Sequence, residues 1–167
     1  MVFLYIALPF GLRLVFPFYH QEAIEFYSKQ HDLDPLLVVS IIWVESRFDI
    51  EAKSIRGARG LMQIMPETAE WISAQKNIPY DLQKLYEPEH NIRLGCWYLA
   101  NLKREFDNIN LVLAAYNGGR GNVRQWMEAG IWQGDAEDID NIPFGETREY
   151  VRRVNIIHQI YQRLYGN

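Results

Sequence analysis

The sequence lacks the residues on which several common classes of function depend. Its one cysteine, Cys96, cannot form an intramolecular disulfide, and no Cys/His spacing resembles a zinc site. We therefore expect no metal and no other cofactor. The formal net charge is -4 and the basic clusters are short, so no positive field is available to collect phosphates, and we expect no nucleic-acid partner.

Strand patterns are also missing, since no segment of any length alternates apolar and polar residues. Apolar residues at helical spacing instead predict an all-α or mostly α domain. The length of 167 residues suits a single domain, which we expect to be a monomer. The predicted helices cover residues 19–30, 36–48, 66–76, 88–106, 111–116, 123–127 and 146–164, and the irregular segment 130–145 is predicted to be either disordered or functional.

The first eighteen residues are almost entirely apolar, but they fit no standard membrane segment. Arg13 interrupts them, Pro9, Gly11 and Pro17 break helical continuity, and no basic region precedes them. We interpret residues 1–18 as the remnant of an N-terminal signal-anchor that contacts the membrane. An apolar arm folded onto the domain formed by residues 19–167 is the alternative, and a mistaken start codon is a third.

Aromatic residues are plentiful, because five Trp, ten Tyr and eight Phe make up 14% of the chain. Most of these side chains should lie in the core. A minority could line a groove for a ligand with apolar ring faces, such as a sugar.

Glu45 is the first candidate for chemistry. It follows a run of Val, Ile and Trp in a segment that is either a buried strand or a central helix, and the Asp34-Pro35 start favours the helix. Burial raises the pKa of a carboxyl, and a carboxyl that stays protonated near neutral pH can act as a general acid. The alternative is a Glu whose carboxylate lies in water or pairs with Arg47.

Further candidates are weak when taken one at a time. Gln63 can donate and accept hydrogen bonds to a sugar, but Met62 and Met65 beside it are ordinary core residues. Tyr116 beside a helix-ending glycine pair can be a half-buried cap residue, and Glu146 at a helix start is expected from the helix dipole alone.

Taken together and in order, these segments resemble the motifs of the soluble lytic transglycosylase catalytic domain. The resemblance covers about residues 20–165, and the eighteen-residue step from Glu45 to Gln63 also matches. It implies a lysozyme-like α-helical fold with a substrate cleft. The matching motifs are Glu45-Ser46, Gly60-Leu61-Met62-Gln63-Ile64-Met65-Pro66, Ala115-Tyr116-Asn117-Gly118-Gly119 and the segment 142–151, which reads IPFGETREYV.

The resemblance also implies a role for individual residues. Glu45 matches the catalytic acid/base of the family, and Ser54 matches a serine that holds the substrate near it. The remaining matches are residues that bind the glycan: Gln63, Met65, Tyr116, Asn117, Glu146 and Tyr150. Arg59 occupies a position that is commonly small or polar in the family, a difference that should not affect the chemistry.

The function implied by the resemblance is cleavage of peptidoglycan glycan strands, with formation of 1,6-anhydromuramyl ends, by an extracytoplasmic enzyme that is anchored or secreted. Three alternatives stay open, one of which is a scaffold protein anchored by residues 1–18 in which the cleft is incidental. A goose-type muramidase would hydrolyse the same bond with a second carboxylate, such as Asp49 or Glu51, that positions a water. A peptidoglycan-binding module without turnover would have no need of Glu45.

Overall fold

The structure is a computed structural model that describes residues 11–166. Residues 11–15 are helical, and two short 3-10 helices cover Gln83–Tyr86 and Ile139–Asn141. No strand occurs among residues 11–166, where only isolated bridges pair Arg59 with Lys53 and Ile64. The prediction of a mostly α fold is therefore confirmed. The α-helices are α1 (Gln21–Gln30), α2 (Pro35–Ser46), α3 (Pro66–Lys76), α4 (Pro88–Glu105), α5 (Ile109–Gly118), α6 (Arg120–Glu128) and α7 (Gly145–Tyr165).

Helix α2 lies at the centre of the domain, and its start follows the sequence signals. Asp34 accepts a hydrogen bond from the Leu36 backbone N–H at 2.8 Å, and Pro35 occupies the first turn. Every residue from Leu37 to Ile42 is buried, so the apolar run is a buried helix and the strand alternative is wrong. Helices α1 and α7 pack against it.

The helix ends abruptly beside the cleft. Arg47 and Phe48 both adopt left-handed conformations, with φ of 52° and 65°, which turn the chain away from the helix axis. Glu45 is therefore held in the last turn of a helix whose other turns are fixed by the core.

Helix α4 packs into the core through its apolar face, which includes Ile92, Leu99 and Leu102. A Cβ on Gly95 would come within 2.2 Å of the Met62 Sδ atom, so the glycine lets the loop before α3 rest directly on this helix.

The segment 130–145 is packed against the core. Trp132 and Ile142 are buried, and the Trp132 indole donates a hydrogen bond to the Asp135 carbonyl at 3.0 Å. The burial of Trp132 and Ile142 fixes this segment against the core, so the alternative in which it is disordered is removed.

Residues 11–18 fold back onto helices α2 and α7. The Arg13 guanidinium donates to the Leu164 carbonyl at 2.7 Å, and the Trp43 indole donates to the Val15 carbonyl at 3.1 Å. The Tyr161 hydroxyl donates to the Pro17 carbonyl at 2.7 Å. Residues 1–10 lie outside the described residues, so the signal-anchor interpretation and the division at residue 18 stay predictions. Across residues 11–166, every helix is too short or too polar to cross a membrane.

Candidate active site

One open cleft, with a volume of about 490 Å³, brings together seven of the eight predicted site residues. Loop 47–65 and the start of α3 form one wall, and the end of α5 with the start of α7 forms the other. A larger depression beside α1, of about 990 Å³, contains none of the predicted residues. The cleft is lined by Glu45, Ser54, Ile55, Arg56, Ala58, Gln63, Met65, Tyr116, Asn117 and Glu146.

Glu45 has the electrostatic properties of a general acid. The residue is half-buried, and burial raises the pKa of its carboxyl from 4.5 to about 7. The nearby Tyr150 hydroxyl and the charge of Arg153 oppose this rise, whereas the charge of Glu146 adds slightly to it. A large fraction of Glu45 is therefore protonated near neutral pH, which is what protonation of a leaving oxygen requires. The structure therefore contradicts the alternative in which the Glu45 carboxylate lies in water or pairs with Arg47.

Tyr150, the eighth predicted residue, lies beside Glu45 and does not line the cleft. It is 6% exposed, and burial followed by the charge of Glu45 raises the pKa of its hydroxyl well above the usual range. The Tyr150 hydroxyl makes no hydrogen bond of good geometry within residues 11–166. It nevertheless lies close enough to the Glu45 carboxyl to stabilise the ionised form, which lowers the pKa of Glu45. Its placement suits a residue that adjusts the acid, and direct substrate binding by Tyr150 stays a prediction.

Loop 47–65 is anchored to three helices by side chains that bind its backbone. The Ser46 hydroxyl at the end of α2 donates to the Leu61 carbonyl at 2.9 Å, and the Tyr116 hydroxyl on α5 donates to the Met62 carbonyl at 2.8 Å. Asn91 on α4 is fully buried. Its side chain accepts from the Met62 N–H at 2.7 Å and donates to the carbonyls of Arg59 and Leu85 at 2.9 and 2.8 Å.

Gln63 contributes to the cleft with only part of its amide group. The Nε2 atom donates to the carbonyls of Ala52 and Gly60 at 3.1 and 2.9 Å, which fixes the orientation of the amide because both partners are acceptors. The Oε1 atom remains as an acceptor in the cleft. Gln63 therefore holds the loop in addition to lining the groove.

Ser54 is also tied to its own loop. Its Oγ atom accepts a hydrogen bond from the Ala58 N–H at 3.0 Å, and the hydroxyl hydrogen is left to donate elsewhere. Met65 lies at the start of α3, where its half-buried side chain lines the cleft.

The opposite wall is built from the ends of α5 and α7. The Thr147 hydroxyl donates to the Asn117 Oδ1 atom at 2.9 Å, and a Cβ on Gly118 would come within 2.7 Å of that hydroxyl, so the glycine permits the contact. Glu146 forms an ion pair across the cleft mouth with Arg56 at 3.1 Å, and both side chains are mostly exposed.

Sequence reasoning missed Asn91, Arg56 and the anchoring role of Ser46. Asn91 alone gave a signal, because a polar residue stands directly before Ile92 on the buried face of α4. The partners of these residues lie far away in the chain, and no local pattern identifies them.

Among residues 11–166, Glu45 and Glu146 are the two carboxylates that line the cleft. Asp49 and Glu51 are exposed, and an Asp49 oxygen accepts the Glu51 backbone N–H at 3.0 Å. Within residues 11–166, no group of three His, Cys, Asp or Glu side chains could hold a metal ion.

These features define a helical domain with a half-buried carboxyl of raised pKa in an open cleft. A family profile described as the Transglycosylase SLT domain matches residues 22–139. The chain therefore belongs to the Transglycosylase SLT domain family.

Several relatives share this similarity over nearly the whole chain. The soluble lytic murein transglycosylase of Salmonella typhimurium is 36% identical over 156 residues, which cover 90% of this chain and 24% of that protein. The chain thus spans about a quarter of the length of this relative.

Solved structures agree with the sequence comparison. The lytic transglycosylase Slt of Pseudomonas aeruginosa, in an inactive mutant form, superposes with a TM-score of 0.84 at 38% identity, over 91% of this chain and 25% of that one. The 70-kDa soluble lytic transglycosylase in complex with bulgecin A superposes with a TM-score of 0.87 at 33% identity, over 93% of this chain and 26% of that one. The expected lysozyme-like fold is confirmed.

Proposed function

We propose that this chain is a catalytic domain that cleaves the β-1,4 bond between N-acetylmuramic acid and N-acetylglucosamine in peptidoglycan. The products carry 1,6-anhydromuramyl ends. The observation that carries the proposal is the carboxyl of Glu45, half-buried at the cleft and with its pKa raised to about 7. The names of the relatives, which are lytic murein transglycosylases, support the same substrate.

One carboxyl performs both proton transfers in this reaction. Protonated Glu45 gives its proton to the oxygen that links the two sugars, and the C–O bond to the muramyl anomeric carbon breaks. The substrate's own N-acetyl group stabilises the cationic centre. Ionised Glu45 then takes the proton of the muramyl 6-hydroxyl, whose oxygen bonds to the anomeric carbon. The first proton leaves on the 4-hydroxyl of the released N-acetylglucosamine, and the proton from the 6-hydroxyl restores protonated Glu45. No water is consumed, and the tethered nucleophile benefits from a high effective concentration.

The cleft residues supply polar contacts for the sugar rings around this bond. The Ser54 hydroxyl hydrogen and the Gln63 Oε1 atom offer one donor and one acceptor on the loop wall, and Asn117 offers its amide N–H groups on the other wall. The Tyr116 oxygen can still accept a hydrogen bond while its hydrogen is held by Met62.

Hydrolysis by a goose-type muramidase is the alternative reaction at the same bond. It needs a second carboxylate that holds a water on the far face of the sugar, at a separation of about 6.5 to 9.5 Å from the acid in inverting enzymes. Asp49 and Glu51 do not line the cleft, and Glu146 is engaged by Arg56. These contacts favour the single-carboxyl reaction over hydrolysis. A binding module without turnover would derive no benefit from a carboxyl with a raised pKa.

The decisive experiment is a digestion of purified peptidoglycan followed by mass spectrometry of the released muropeptides. We expect disaccharide products one water lighter than hydrolysis products, and no release by the Glu45→Gln variant. Full-mass reducing ends would establish the muramidase instead. Binding to peptidoglycan without any release by the wild type would establish the binding module.

The proposed substrate also bears on where the chain acts. Peptidoglycan lies in the bacterial cell envelope, so an extracytoplasmic location, with the chain either membrane-anchored or secreted, is part of the proposal. The monomeric state remains a prediction, to be checked by light scattering.

A further inference from the structure

A tight turn on the loop wall of the cleft carries two exposed side chains, Ile55 and Arg56. The Gly57 N–H donates to the Ser54 carbonyl at 3.0 Å and closes the turn, and Gly57 has a φ of 93°, which favours glycine. Below the turn, the Ser54 N–H donates to the Ala58 carbonyl and the Ala58 N–H donates to the Ser54 Oγ atom, both at 3.0 Å. The backbone therefore holds both side chains in place at the edge of the cleft.

The fold makes little use of these two side chains. Ile55 is fully exposed and takes no part in the core, and 76% of the Arg56 side chain is exposed. Both residues nevertheless line the cleft. An apolar side chain beside a guanidinium suits a ligand that carries apolar groups next to a carboxylate.

Arg56 supplies the positive charge of the cleft. Among residues 11–166 it is the one cation that lines the cleft, whereas Glu45 and Glu146 are both acidic. With a net charge of -4, the chain as a whole does not attract an anionic ligand. A ligand carboxylate in this cleft therefore depends on Arg56 for a positive partner.

The ion pair between Arg56 and Glu146 leaves most of the guanidinium available. Only the Nη2 atom donates to the Glu146 carboxylate, at 3.1 Å, and the Nε and Nη1 atoms make no hydrogen bond within residues 11–166. A guanidinium has five N–H donors and can bind a second carboxylate at another edge. The pair is also exposed and therefore weak. Arg56 can keep its contact with Glu146 and still bind a carboxylate of the ligand.

The proposed substrate carries such carboxylates close to the cleaved bond. In intact peptidoglycan a short stem peptide extends from the lactyl group of each muramyl residue, and it presents alanine methyl groups and free carboxylates. A muramyl residue bound at Glu45 has to direct this peptide out through the open mouth of the cleft. Ile55 and Arg56 lie at that mouth.

We propose that Ile55 and Arg56 bind the stem peptide of the muramyl residue in the cleft. The Arg56 guanidinium binds a peptide carboxylate, and Ile55 contacts the apolar groups beside it. This inference rests on the proposed function for its substrate. It makes peptide-bearing strands better ligands than bare strands of the same length.

The test measures binding without turnover, in the full chain that carries Glu45→Gln. Calorimetry compares GlcNAc–MurNAc tetrasaccharides in three forms: with stem peptides, with the carboxylates of those peptides amidated, and without peptides, which leaves free lactyl carboxylates. Adding Arg56→Gln should weaken binding of the first form roughly tenfold (about 1.4 kcal/mol) and leave the other two unchanged. Adding Ile55→Ala should weaken binding of both peptide-bearing forms roughly threefold and leave the bare form unchanged.

Two controls separate direct binding from other effects of the lost charge. Lys53→Gln removes an exposed cation of the same loop that does not line the cleft, and it should leave all three affinities unchanged. Glu146→Gln removes the carboxylate that Arg56→Gln leaves without a partner. In this background the loss caused by Arg56→Gln should persist, because it comes from the missing guanidinium and not from repulsion by Glu146.

The peptide site is refuted when Arg56→Gln binds the peptide-bearing form as tightly as its parent, or when Lys53→Gln causes the same loss. An equal loss for the bare form would show that Arg56 binds the lactyl carboxylate of the sugar, and a loss that vanishes with Glu146→Gln would show repulsion; both results overturn the inference. A wild-type chain that prefers peptide-bearing strands through Arg56 but releases no anhydro products would refute the proposed reaction and leave the peptide site standing.

Discussion

The raised pKa of Glu45 predicts that this carboxyl destabilises the folded domain at alkaline pH. Its pKa is 4.5 in the unfolded chain and about 7 in the folded protein. The folded state therefore binds the extra proton between these values, and stability falls as the pH rises through this range. Below pH 4.5 both states are protonated and the effect disappears. The full penalty, reached above pH 7, is the shift from 4.5 to about 7 multiplied by 1.36 kcal/mol, or roughly 3 kcal/mol.

Glu45→Gln removes the charge while keeping the shape, so the variant should be more stable than the wild type by roughly 3 kcal/mol at pH 8 and equally stable near pH 4. Urea unfolding followed by Trp fluorescence at a series of pH values measures both proteins. The midpoint difference at pH 8 should be on the order of 1 M urea.

The comparison must be a difference between the two proteins, because histidines titrate in the same range. Burial lowers the pKa of His20, His31 and His90, so these groups add stability as the pH rises, which is the opposite sign. They are present in both proteins and cancel. Glu51→Gln, which replaces an exposed carboxylate in the same way, is the matched control for the substitution itself. A stability difference for Glu45→Gln that stays constant from pH 4 to pH 8, or a variant less stable than the wild type at pH 8, would refute the reasoning.

Three further variants test the surroundings of the acid. Tyr150→Phe removes a hydroxyl that favours ionised Glu45, so the pKa of the acid should rise and the alkaline limb of the pH–rate profile for glycan cleavage should move to higher pH; an unmoved limb would contradict the assignment. Asn91→Leu leaves the Met62 N–H and the Leu85 carbonyl unpaired, and it removes one of the two hydrogen bonds to the Arg59 carbonyl, which keeps the Ile64 N–H. The variant should lower the free energy of unfolding by about 3 kcal/mol in urea titrations, whereas a loss below about 1 kcal/mol would show that water replaces the amide. Gly60→Ala should destabilise strongly because its Cβ would lie 2.1 Å from a backbone oxygen, while Gly121→Ala, with nothing within 4 Å, should be neutral or slightly stabilising by thermal melting.

The parts of the structure that sequence reasoning predicted are those with local causes. The Asp34-Pro35 start and the long apolar run determine α2 within a dozen residues, and the burial of that helix near its end accounts for the raised pKa of Glu45. The glycine pair after Asn117 ends α5 as predicted in kind, with Gly119 at φ 87°, although the helix runs two residues beyond the predicted end at 116. In each case the residue that causes the feature is a neighbour in sequence.

The rest depends on contacts between distant segments. Asn91 and Met62 are 29 residues apart, and Arg56 and Glu146 are 90 apart, so neither pair leaves a periodic signal. The donors of Gln63 were expected to face substrate, but they are used by the backbone of its own loop. Trp71, Trp97 and Tyr98 likewise contact one another only because α3 and α4 pack together, and composition alone gave no way to separate these three residues from core residues.

The three helix side chains that hold loop 47–65 all bind main-chain atoms. Ser46, Asn91 and Tyr116 bind the main-chain carbonyl or N–H groups of Leu61, Met62 and Arg59, to which the side chains at positions 55 and 56 do not contribute. We therefore expect exchange of the exposed side chains of Ile55 and Arg56 to leave the path of the loop and the position of Glu45 unchanged, with loss only of the exposed Arg56–Glu146 ion pair. The exposed side chains on this wall of the cleft can be exchanged while the backbone beneath them keeps its path. Mutations there should therefore alter substrate preference without moving Glu45.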